Sequence, residues 1–349
     1  MEHYYALLLA GGSGARLWPL TETQSAKALL RLVGEHSLFR TMVTHLLGFF
    51  TPERICVIAD GTVYSQLMRE APELPPANFI REPSSRDTTA AVGLGVFELA
   101  RRDPEATVAL ISTDLHIAQP ETLIEALGHA YRIAQQGNIV CIGIQPTHPA
   151  IGYGYIRRGE PIYTNGDWLG YRALEFTEKP DVETAGTFID SGKYSWDSGI
   201  VVTTVRTLIG DFRRLQPTTA ALLEQMTSGS EDREQLWSKL PCISLDYAIL
   251  ERAESIAVLP VEMQWRDVGT WDAIYDLLPK DEYENVVVTT TPAIVMNTHG
   301  SYIRAERTIA VIDVEDLVIV DTPNGLLICK RDAVQKVRRV RTLLRQTTG

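Results

Sequence analysis

Near its beginning the chain reads Tyr4-Tyr-Ala-Leu-Leu-Leu-Ala10, and it continues without a break into Gly11-Gly-Ser-Gly-Ala-Arg16. The first segment is a short apolar run with the length of a buried strand. The second segment lacks Cβ atoms at its glycines, so consecutive backbone N–H groups can turn inward and bind phosphate oxygens. A buried strand that ends in such a loop is typical of α/β sheets, whose ligands bind beyond the carboxyl ends of the strands.

The alternation of strand and helix patterns continues along the chain. Apolar, β-branched runs follow at residues 54–60, 78–83, 107–113 and 139–145, and helical patterns such as 38–49 and 88–101 separate them. This alternation predicts a mostly parallel, doubly wound, Rossmann-like sheet. Strand-like pieces between residues 152 and 204 and a helical pattern at 244–254 extend the same domain.

The pattern changes beyond Pro279, where short strands follow one another closely from near Tyr283. Close spacing without helices predicts a small all-β module, formed as a coil of stacked strands. Two domains are therefore expected, at residues 1–279 and 283–349. The last stretch, 333–345, has apolar residues at helical spacing with basic residues between them, and it predicts a docked terminal helix.

Composition and charge exclude several classes of partner. The 349 residues carry a net charge of −11, which repels nucleic acid and anionic lipid. The first apolar run is closed by glycines too early for a membrane span, and no basic leader precedes it. The four cysteines are widely separated and form no C-x-x-C pair, which favours reduced thiols and a cytoplasmic location.

The glycine-rich loop has two alternative interpretations. A dinucleotide site requires G-x-G-x-x-G at the start of a helix, whereas here Trp18-Pro19 prevents an immediate helix. A simple tight turn leaves Arg16 and Lys27 unexplained, since they flank a loop otherwise poor in charge. A phosphate site is the interpretation that accounts for both cations.

Two aspartates are candidate metal ligands near the phosphate site. Asp114 comes directly after a buried run, and Asp267 lies in the turn Trp265-Arg-Asp-Val-Gly-Thr-Trp271. Taken singly, each is better explained as a helix cap or a turn residue. Together with a phosphate loop they suit Mg²⁺, which takes oxygen ligands and leaves positions for substrate phosphates.

At this point the sequence resembles the mannose-1-phosphate guanylyltransferase family over nearly its whole length. The matching motifs, in the family's order and spacing, are Gly11 to Lys27, Pro83-Ser-Ser-Arg-Asp-Thr88, Gly152-Tyr-Gly-Tyr155, Phe176-Thr-Glu-Lys-Pro-Asp181, Trp196-Asp-Ser-Gly199, Ser244-Leu-Asp-Tyr247, Trp265 to Trp271, Asp316-Leu-Val-Ile-Val-Asp-Thr322 and Gly325-Leu-Leu-Ile328. The resemblance implies a GT-A-like nucleotidyltransferase sheet followed by a C-terminal β-helical segment. It also implies transfer of GMP from GTP to mannose 1-phosphate, with GDP-mannose and pyrophosphate as products and Mg²⁺ as cofactor.

Carried over position by position, the resemblance assigns roles to individual residues. Arg16 and Lys27 are the catalytic cations on the triphosphate, and Asp114 and Asp267 hold the Mg²⁺. Nucleotide binding falls to Leu9, Ala10, Gly11, Gly12, Ser13, Gly14, Ala15, Arg86 and Asp87. The sugar phosphate is assigned to Gly152, Glu178, Lys179 and Asp197. The exposed edges of the β-module favour a homodimer.

The sequence departs from the family at neighbours of these residues. It has Ala26-Lys-Ala-Leu29 where the family has Pro-Lys-Gln-Phe, and aspartates at 87 and 197 where the family has asparagines. A carboxylate accepts hydrogen bonds but donates none, so these changes bear on substrate choice more than on reaction class. Alternatives therefore remain open: another hexose 1-phosphate or nucleoside triphosphate, a non-catalytic nucleotide-sugar-binding homologue, and, outside the class, an NAD-dependent oxidoreductase.

Overall fold

The computed structural model describes residues 1–12, 14–21, 26–229 and 232–347. Its strands are β1 (Tyr4–Leu9), β2 (Ile55–Asp60), β3 (Phe79–Glu82), β4 (Thr107–Ser112), β5 (Leu115–Ile117), β6 (Ile139–Ile144), β7 (Gly154–Asn165), β8 (Trp168–Glu178), β9 (Tyr194–Thr204), β10 (Ile256–Pro260), β11 (Trp265–Asp267), β12 (Val286–Thr289), β13 (Ala293–Met296), β14 (Tyr302–Ala305), β15 (Ile309–Ile312), β16 (Leu317–Thr322) and β17 (Gly325–Lys330).

The α-helices are α1 (Leu38–Leu46), α2 (Tyr64–Glu70), α3 (Asp87–Arg102), α4 (Pro120–Ala134), α5 (Val182–Asp190), α6 (Val205–Leu215), α7 (Pro217–Thr227), α8 (Arg233–Ser238), α9 (Leu245–Ala248), α10 (Trp271–Leu277) and α11 (Arg338–Thr347). Short 3₁₀ helices cover Ala15–Leu17, Lys27–Leu29, Pro52–Arg54, Pro76–Asn78, Leu250–Arg252 and Arg331–Val337. Within the described ranges, no helix combines the length and the apolar composition needed to cross a membrane.

The contacts divide the chain into two compact units that are not continuous in sequence. The first holds Met1–Ala10, Met42–Thr113 and Ile117–Trp265. The second holds Gly11–Thr41, Asp114–His116 and Arg266–Gly349. The domain division between residues 279 and 283 stays a prediction.

The first unit contains one sheet, with its strands in the order β3, β2, β1, β4, β9, β6, β10, β8, β7. β1 is parallel to β2 and β4, and β6 is parallel to β10, whereas β9 is antiparallel to both β4 and β6. The strand order reverses between β1 and β4, which is where such sheets bind ligands. The predicted mostly parallel, Rossmann-like sheet is confirmed.

The second unit contains the stacked strands of the C-terminal module. Val286 in β12 lies opposite Tyr302 in β14, and Tyr302 lies opposite Val318 in β16, so each turn of the coil takes 16 residues. β13 and β15 stack in parallel with the same 16-residue offset. Left-handed turn residues recur at this interval too, with φ near 60° at Glu284 and Gly300. The predicted coil of stacked strands is confirmed.

Several elements differ from the sequence predictions. The helical pattern at 244–254 forms only the short α9 and the 3₁₀ helix Leu250–Arg252. The run Ile256–Pro260 forms β10, in the interior of the sheet, although no strand was predicted there. The predicted helix at 333–345 is a 3₁₀ helix over Arg331–Val337 followed by α11. The 3₁₀ geometry aligns residues three apart, and it therefore buries Val334 and Val337 on one face.

Candidate functional site

The glycine-rich loop is held by backbone and side-chain hydrogen bonds. Gly12 and Gly14 have φ of 102° and 54°, a region that favours glycine. The Gly14 carbonyl accepts from the Leu17 N–H at 2.7 Å and from the Thr21 hydroxyl at 2.9 Å. A Cβ on Gly14 would lie 2.7 Å from the Thr21 methyl carbon, so the loop closes tightly there. Gly11 and Gly12 stay exposed, and the predicted residue Ser13 lies outside the described residues.

Upstream of the loop, the backbone of Leu9 and Ala10 belongs to the sheet. The Leu9 carbonyl accepts from the Thr113 hydroxyl at 3.1 Å, and the Ala10 N–H donates to the Ile58 carbonyl at 3.0 Å. These predicted nucleotide-binding residues are therefore part of the sheet of the first unit. The N–H of Ala10 is already used within the sheet.

Lys27 lies at the centre of the charged cluster in the second unit. Its Nζ donates to Asp114 Oδ2 at 2.6 Å and to Asp267 Oδ1 at 3.2 Å. The Lys27 side chain is only 8% exposed, whereas those of Asp114 and Asp267 are 37% and 25% exposed. The cluster thus has a buried cation beneath two carboxylates that reach the surface.

The electrostatics of this cluster favour the charged forms of Lys27 and Asp114. Burial acts to lower the pKa of the Lys27 ammonium, but the facing carboxylates outweigh burial and raise this pKa. Burial acts to raise the pKa of the Asp114 carboxyl, but Lys27, its hydrogen bonds and then the half-buried Arg16 hold this pKa below its usual value. Arg16 therefore adds positive potential to the same cluster.

Sequence-distant segments place the two carboxylates side by side. The Val268 N–H donates to the Asp114 carbonyl at 3.1 Å, which aligns the residues that follow β4 and β11. Trp271 Nε1 donates to the Trp18 carbonyl at 3.1 Å, which joins the start of α10 to the loop segment. Val268 and Trp271, on the C-terminal side of Asp267, therefore fix the turn that carries this carboxylate.

A second group of ionisable side chains, in the first unit, surrounds Glu178. Glu178 is buried at the end of β8, and its Oε1 accepts a hydrogen bond from Lys179 Nζ. The Glu178 N–H donates to Glu251 Oε1 at 3.0 Å. Burial and the neighbouring Asp246 raise the pKa of Glu178. Burial acts to lower the pKa of Lys179, but Glu178 outweighs it and raises this pKa.

Asp197 belongs to the same group. Burial, then the charges of Asp246 and Glu178, raise the pKa of Asp197 well above its usual value. Its Oδ1 is buried and has no hydrogen-bond partner among the described residues. Three carboxyls here share one region, so protonated forms persist to higher pH than for free carboxyls.

Asp246 and Glu251 are site residues that the sequence predictions missed. Asp246 lies in α9, whose first turn is capped by Ser244, and burial raises the pKa of Asp246. The signal was present in the Ser244-Leu-Asp-Tyr247 motif, but nothing in the sequence indicated that this segment faces Glu178 and Asp197. Glu251 had no motif of its own.

Gly152 lies beside an aromatic group. A Cβ at Gly152 would meet no atom of the described residues within 4 Å. The ring of the next residue, Tyr153, lies edge-on to Trp196 and Trp265, with centroids at 5.1 and 5.3 Å. Trp265 Nε1 donates to the Ser198 carbonyl at 3.1 Å and thereby fixes this aromatic group to β9.

Arg86 and Asp87 lie at the start of α3. Arg86 Nη1 donates to the Leu240 carbonyl at 2.9 Å, so its guanidinium positions a neighbouring loop. Asp87 is exposed, has φ of 63°, and its Oδ1 accepts from the Thr88 N–H at 2.7 Å. The charge of Asp87 also acts to raise the pKa of Asp246, which places it near the Glu178 group.

The structure therefore assembles the predicted residues into two groups. In the second unit, Lys27, Asp114 and Asp267 converge, with Arg16 near them. In the first unit, Glu178, Lys179 and Asp197 converge with Asp246. Within the described part of the chain, no three His, Cys, Asp or Glu side chains are arranged to hold a metal ion by themselves.

Comparisons with known proteins agree with this architecture. Residues 5–284 match the nucleotidyl transferase family, and residues 285–344 match the MannoseP isomerase/GMP-like beta-helix domain. Over 97% of its length the chain is 33% identical to the mannose-1-phosphate guanylyltransferase RfbM of Salmonella typhimurium, and it covers 71% of that protein. It is 32% identical to the mannose-1-phosphate guanylyltransferase 2 of Escherichia coli O157:H7, of which it covers 73%.

A solved structure shows the same fold along the whole chain. The crystal structure described as mannose-1-phosphate geranyltransferase from Thermus thermophilus has a TM-score of 0.88 at 32% identity. The match covers 98% of this chain and 99% of that chain. The chain therefore belongs to the nucleotidyl transferase family, and its resemblance to the mannose-1-phosphate guanylyltransferases within that family is confirmed.

Proposed function

We propose that this nucleotidyltransferase transfers GMP from GTP to mannose 1-phosphate and releases pyrophosphate, with GDP-mannose as the second product. The names of the relatives at 32–33% identity support this choice of substrates. The observation that carries the proposal is Lys27, a buried cation between two partly exposed carboxylates. Lys27 also lies against the glycine-rich loop, since a Cβ on Gly14 would be 3.2 Å from the Lys27 Cβ.

In this proposal the triphosphate is bound by the loop and its two cations. The exposed backbone of Gly11 and Gly12 offers N–H groups to phosphate oxygens. Arg16 and Lys27 add positive charge that is needed locally, because the chain as a whole carries a net charge of −11.

The proposed reaction is an in-line displacement. A phosphate oxygen of the sugar phosphate attacks the α-phosphorus of GTP, and the bond from that phosphorus to the bridging oxygen of the β-phosphate breaks. Pyrophosphate leaves with the electron pair. Because the attacking phosphate is already ionised, no general base is required. The barrier comes mainly from repulsion between two polyanions, which fixed cations lower.

Asp114 and Asp267 are the residues that would hold Mg²⁺. Their oxygens already converge on one cation, the Lys27 ammonium, at 2.6 and 3.2 Å. Among the described residues no third His, Cys, Asp or Glu completes the set, and two carboxylates fit an ion that keeps positions for substrate phosphates and water. When bound, the ion would neutralise phosphate charge and polarise the phosphorus–oxygen bonds.

The sugar phosphate is assigned to the Glu178 group. Carboxyl oxygens of Glu178 and Asp197 can accept hydrogen bonds from sugar hydroxyls, and a protonated carboxyl can also donate. The Lys179 ammonium is half exposed, which leaves it able to meet the phosphate. The Tyr153 ring beside Gly152 offers an apolar surface to the sugar ring.

Asp87 and Asp197 support a second candidate, the same chemistry with another hexose 1-phosphate or another nucleoside triphosphate. Both residues stand where the resembled family has asparagines. The exposed Asp87 carboxylate lacks the donor that an asparagine offers, and Asp197 can donate only in its protonated form. This candidate changes the substrates and keeps the roles of Lys27, Asp114 and Asp267.

The direct test is product identification by ³¹P NMR. The protein is mixed with GTP, mannose 1-phosphate and Mg²⁺, and the expected result is a nucleoside diphosphate-sugar signal together with pyrophosphate. Absence of both signals at high protein concentration would refute catalysis and favour the non-catalytic homologue.

A further inference from the structure

The segment that follows the glycine-rich loop is packed on the C-terminal coil. Leu17 and Trp18 share one apolar core with residues of α10, of β16 and β17, and of the last 3₁₀ helix. Examples of these partners are Trp271, Val320 and Leu327. All belong to the second unit, so the loop segment and the coil form one packed body.

One contact in this body leaves no room for an added atom. A Cβ on Gly325, at the turn between β16 and β17, would lie 2.7 Å from Trp18 Cζ2 and 2.9 Å from Trp18 Cη2. It would also approach the Pro19 Cβ to 3.5 Å. The backbone of the turn therefore rests directly on the six-membered ring of the Trp18 indole.

The turn itself is held in place by hydrogen bonds. The Thr322 hydroxyl donates to the Gly325 carbonyl at 3.3 Å and accepts from the Asn324 N–H at 3.2 Å. Asn324 itself is exposed. The contact on Trp18 is thus made by a fixed turn rather than by a side chain that can rotate away.

Trp18 is equally constrained from its other side. Its side chain is buried, with 8% of the residue exposed, and its carbonyl accepts from Trp271 Nε1 at 3.1 Å. It follows Arg16 by two residues, and Leu17 between them is fully buried. A displacement of the indole would therefore move the 3₁₀ helix that carries Arg16.

We propose that the β16–β17 turn of the C-terminal coil positions the triphosphate-binding loop, and that Gly325 is the positioning residue that acts through Trp18. This inference rests on the proposed function, because it assigns the loop to the nucleoside triphosphate. The coil then sets the affinity for the nucleotide in addition to stabilising the fold.

The test compares Gly325→Ala with Asn324→Ala in the full chain. Gly325→Ala should raise KM for GTP roughly tenfold to a hundredfold, as expected when a binding group moves by about 1 Å. KM for the sugar phosphate should change far less. Asn324→Ala, at an exposed position on the same turn, should leave both constants near those of the unmodified protein.

A double-mutant cycle separates positioning from general destabilisation. Trp18→Phe removes the ring atoms that the new methyl group would meet, so Gly325→Ala should raise KM for GTP much less in that background. The strain of an alanine at the φ of 158° remains in both backgrounds and cancels in the cycle. Equal effects in both backgrounds, or a normal KM for GTP in Gly325→Ala, would overturn the inference.

Two further results also decide between the inference and its alternatives. If Gly325→Ala does not fold, Thr322→Ala replaces it, because it loosens the turn without adding atoms. A raised KM for GTP then supports the inference, and an unchanged KM overturns it. If the unmodified protein itself forms no product, the proposed function fails. This failure can be distinguished from a failure of the positioning role, because it is measured before any variant is made.

Discussion

At the residue scale, the proposed reaction depends on charged side chains that the fold holds close together. Lys27 is buried and in contact with two carboxylates, and Lys27 and Asp114 each favour the charged form of the other. Loss of one carboxylate would leave the ammonium with a single partner and would remove a ligand from the proposed Mg²⁺ site.

The first prediction concerns Asp267. Asp267→Ala should lower turnover by about a hundredfold or more, by analogy with the loss of one group that stabilises transition-state charge. Pyrophosphate release measures the effect, and circular dichroism checks the fold. Glu262→Ala, which removes an exposed carboxylate five residues earlier, is the matched control. Near-normal turnover in Asp267→Ala would refute the assignment.

The second prediction concerns the base. The exposed Asp87 carboxylate could accept from the N1–H and the exocyclic amine of guanine, a pair of donors that adenine does not offer in this arrangement. Asp87→Ala should therefore reduce the preference for GTP over ATP in kcat/KM. Asp167→Ala, in the exposed turn between β7 and β8, serves as the control. An unchanged preference in Asp87→Ala would exclude this role.

The third prediction concerns pH. Burial, then the charge of Asp60, raises the pKa of Glu82 from 4.5 to about 8. Between these values the folded protein keeps a proton that the unfolded chain releases, so the free energy of unfolding falls as pH rises. Glu82→Gln removes this titration, and its stability should decline less between pH 4.5 and 8 in urea unfolding. If the free energy of unfolding depends on pH equally in the variant and the unmodified protein, Glu82 does not have the raised pKa.

Sequence motifs predicted the charged residues but not all of their partners. Lys27, Asp114 and Asp267 could be named because each lies in a recognisable motif. Asp246 and Glu251 could not be placed, because their approach to Glu178 depends on how α9 and the following 3₁₀ helix pack. The hydrogen bond from Arg86 to the Leu240 carbonyl could not be predicted either, because it too depends on how distant segments pack.

At the element scale, the coil and the helix that follows Asp267 are joined through Arg331. Its Nε donates to Asp272 Oδ1 at 3.0 Å, its Nη1 donates to the Gly300 carbonyl at 3.0 Å, and its guanidinium lies 3.9 Å from the Tyr275 ring centroid. One side chain thus connects α10, a turn of the coil and the last 3₁₀ helix.

The fourth prediction follows from these contacts. Arg331→Ala should lower the free energy of unfolding by roughly 2 kcal/mol, since it removes two charge-assisted hydrogen bonds and a cation–π contact. Lys330→Ala, at the exposed neighbour, should change it by less than about 0.5 kcal/mol. Arg331→Lys should recover little, because an ammonium cannot make the same set of contacts. Equal free energies of unfolding for Arg331→Ala and Lys330→Ala would contradict the role of Arg331 in joining these elements.

Most elements could be predicted because their apolar patterns are strong and local. β10 was missed because its short apolar run is followed by Pro260, and only its place inside the sheet shows it to be a strand. The 3₁₀ helix before α11 was predicted as α-helix because Val334 and Val337 fit either spacing. Which spacing the chain adopts depends on packing against the core.

At the scale of the whole molecule, a few local cations must attract anionic substrates that the net negative charge repels. The net charge of −11 repels anionic substrates, and Arg16, Lys27 and Lys179 are the cations that the proposal assigns to overcome it. The family and the fold are established over nearly the whole chain, whereas the choice of base and sugar is a proposal.

The decisive measurement is pyrophosphate release across a substrate panel with Mg²⁺. GTP, ATP, UTP and dTTP are each paired with mannose, glucose and fucose 1-phosphates. The highest kcat/KM is expected for GTP with mannose 1-phosphate. A higher value for another pair would contradict the assigned substrates, and no release from any pair would contradict catalysis itself.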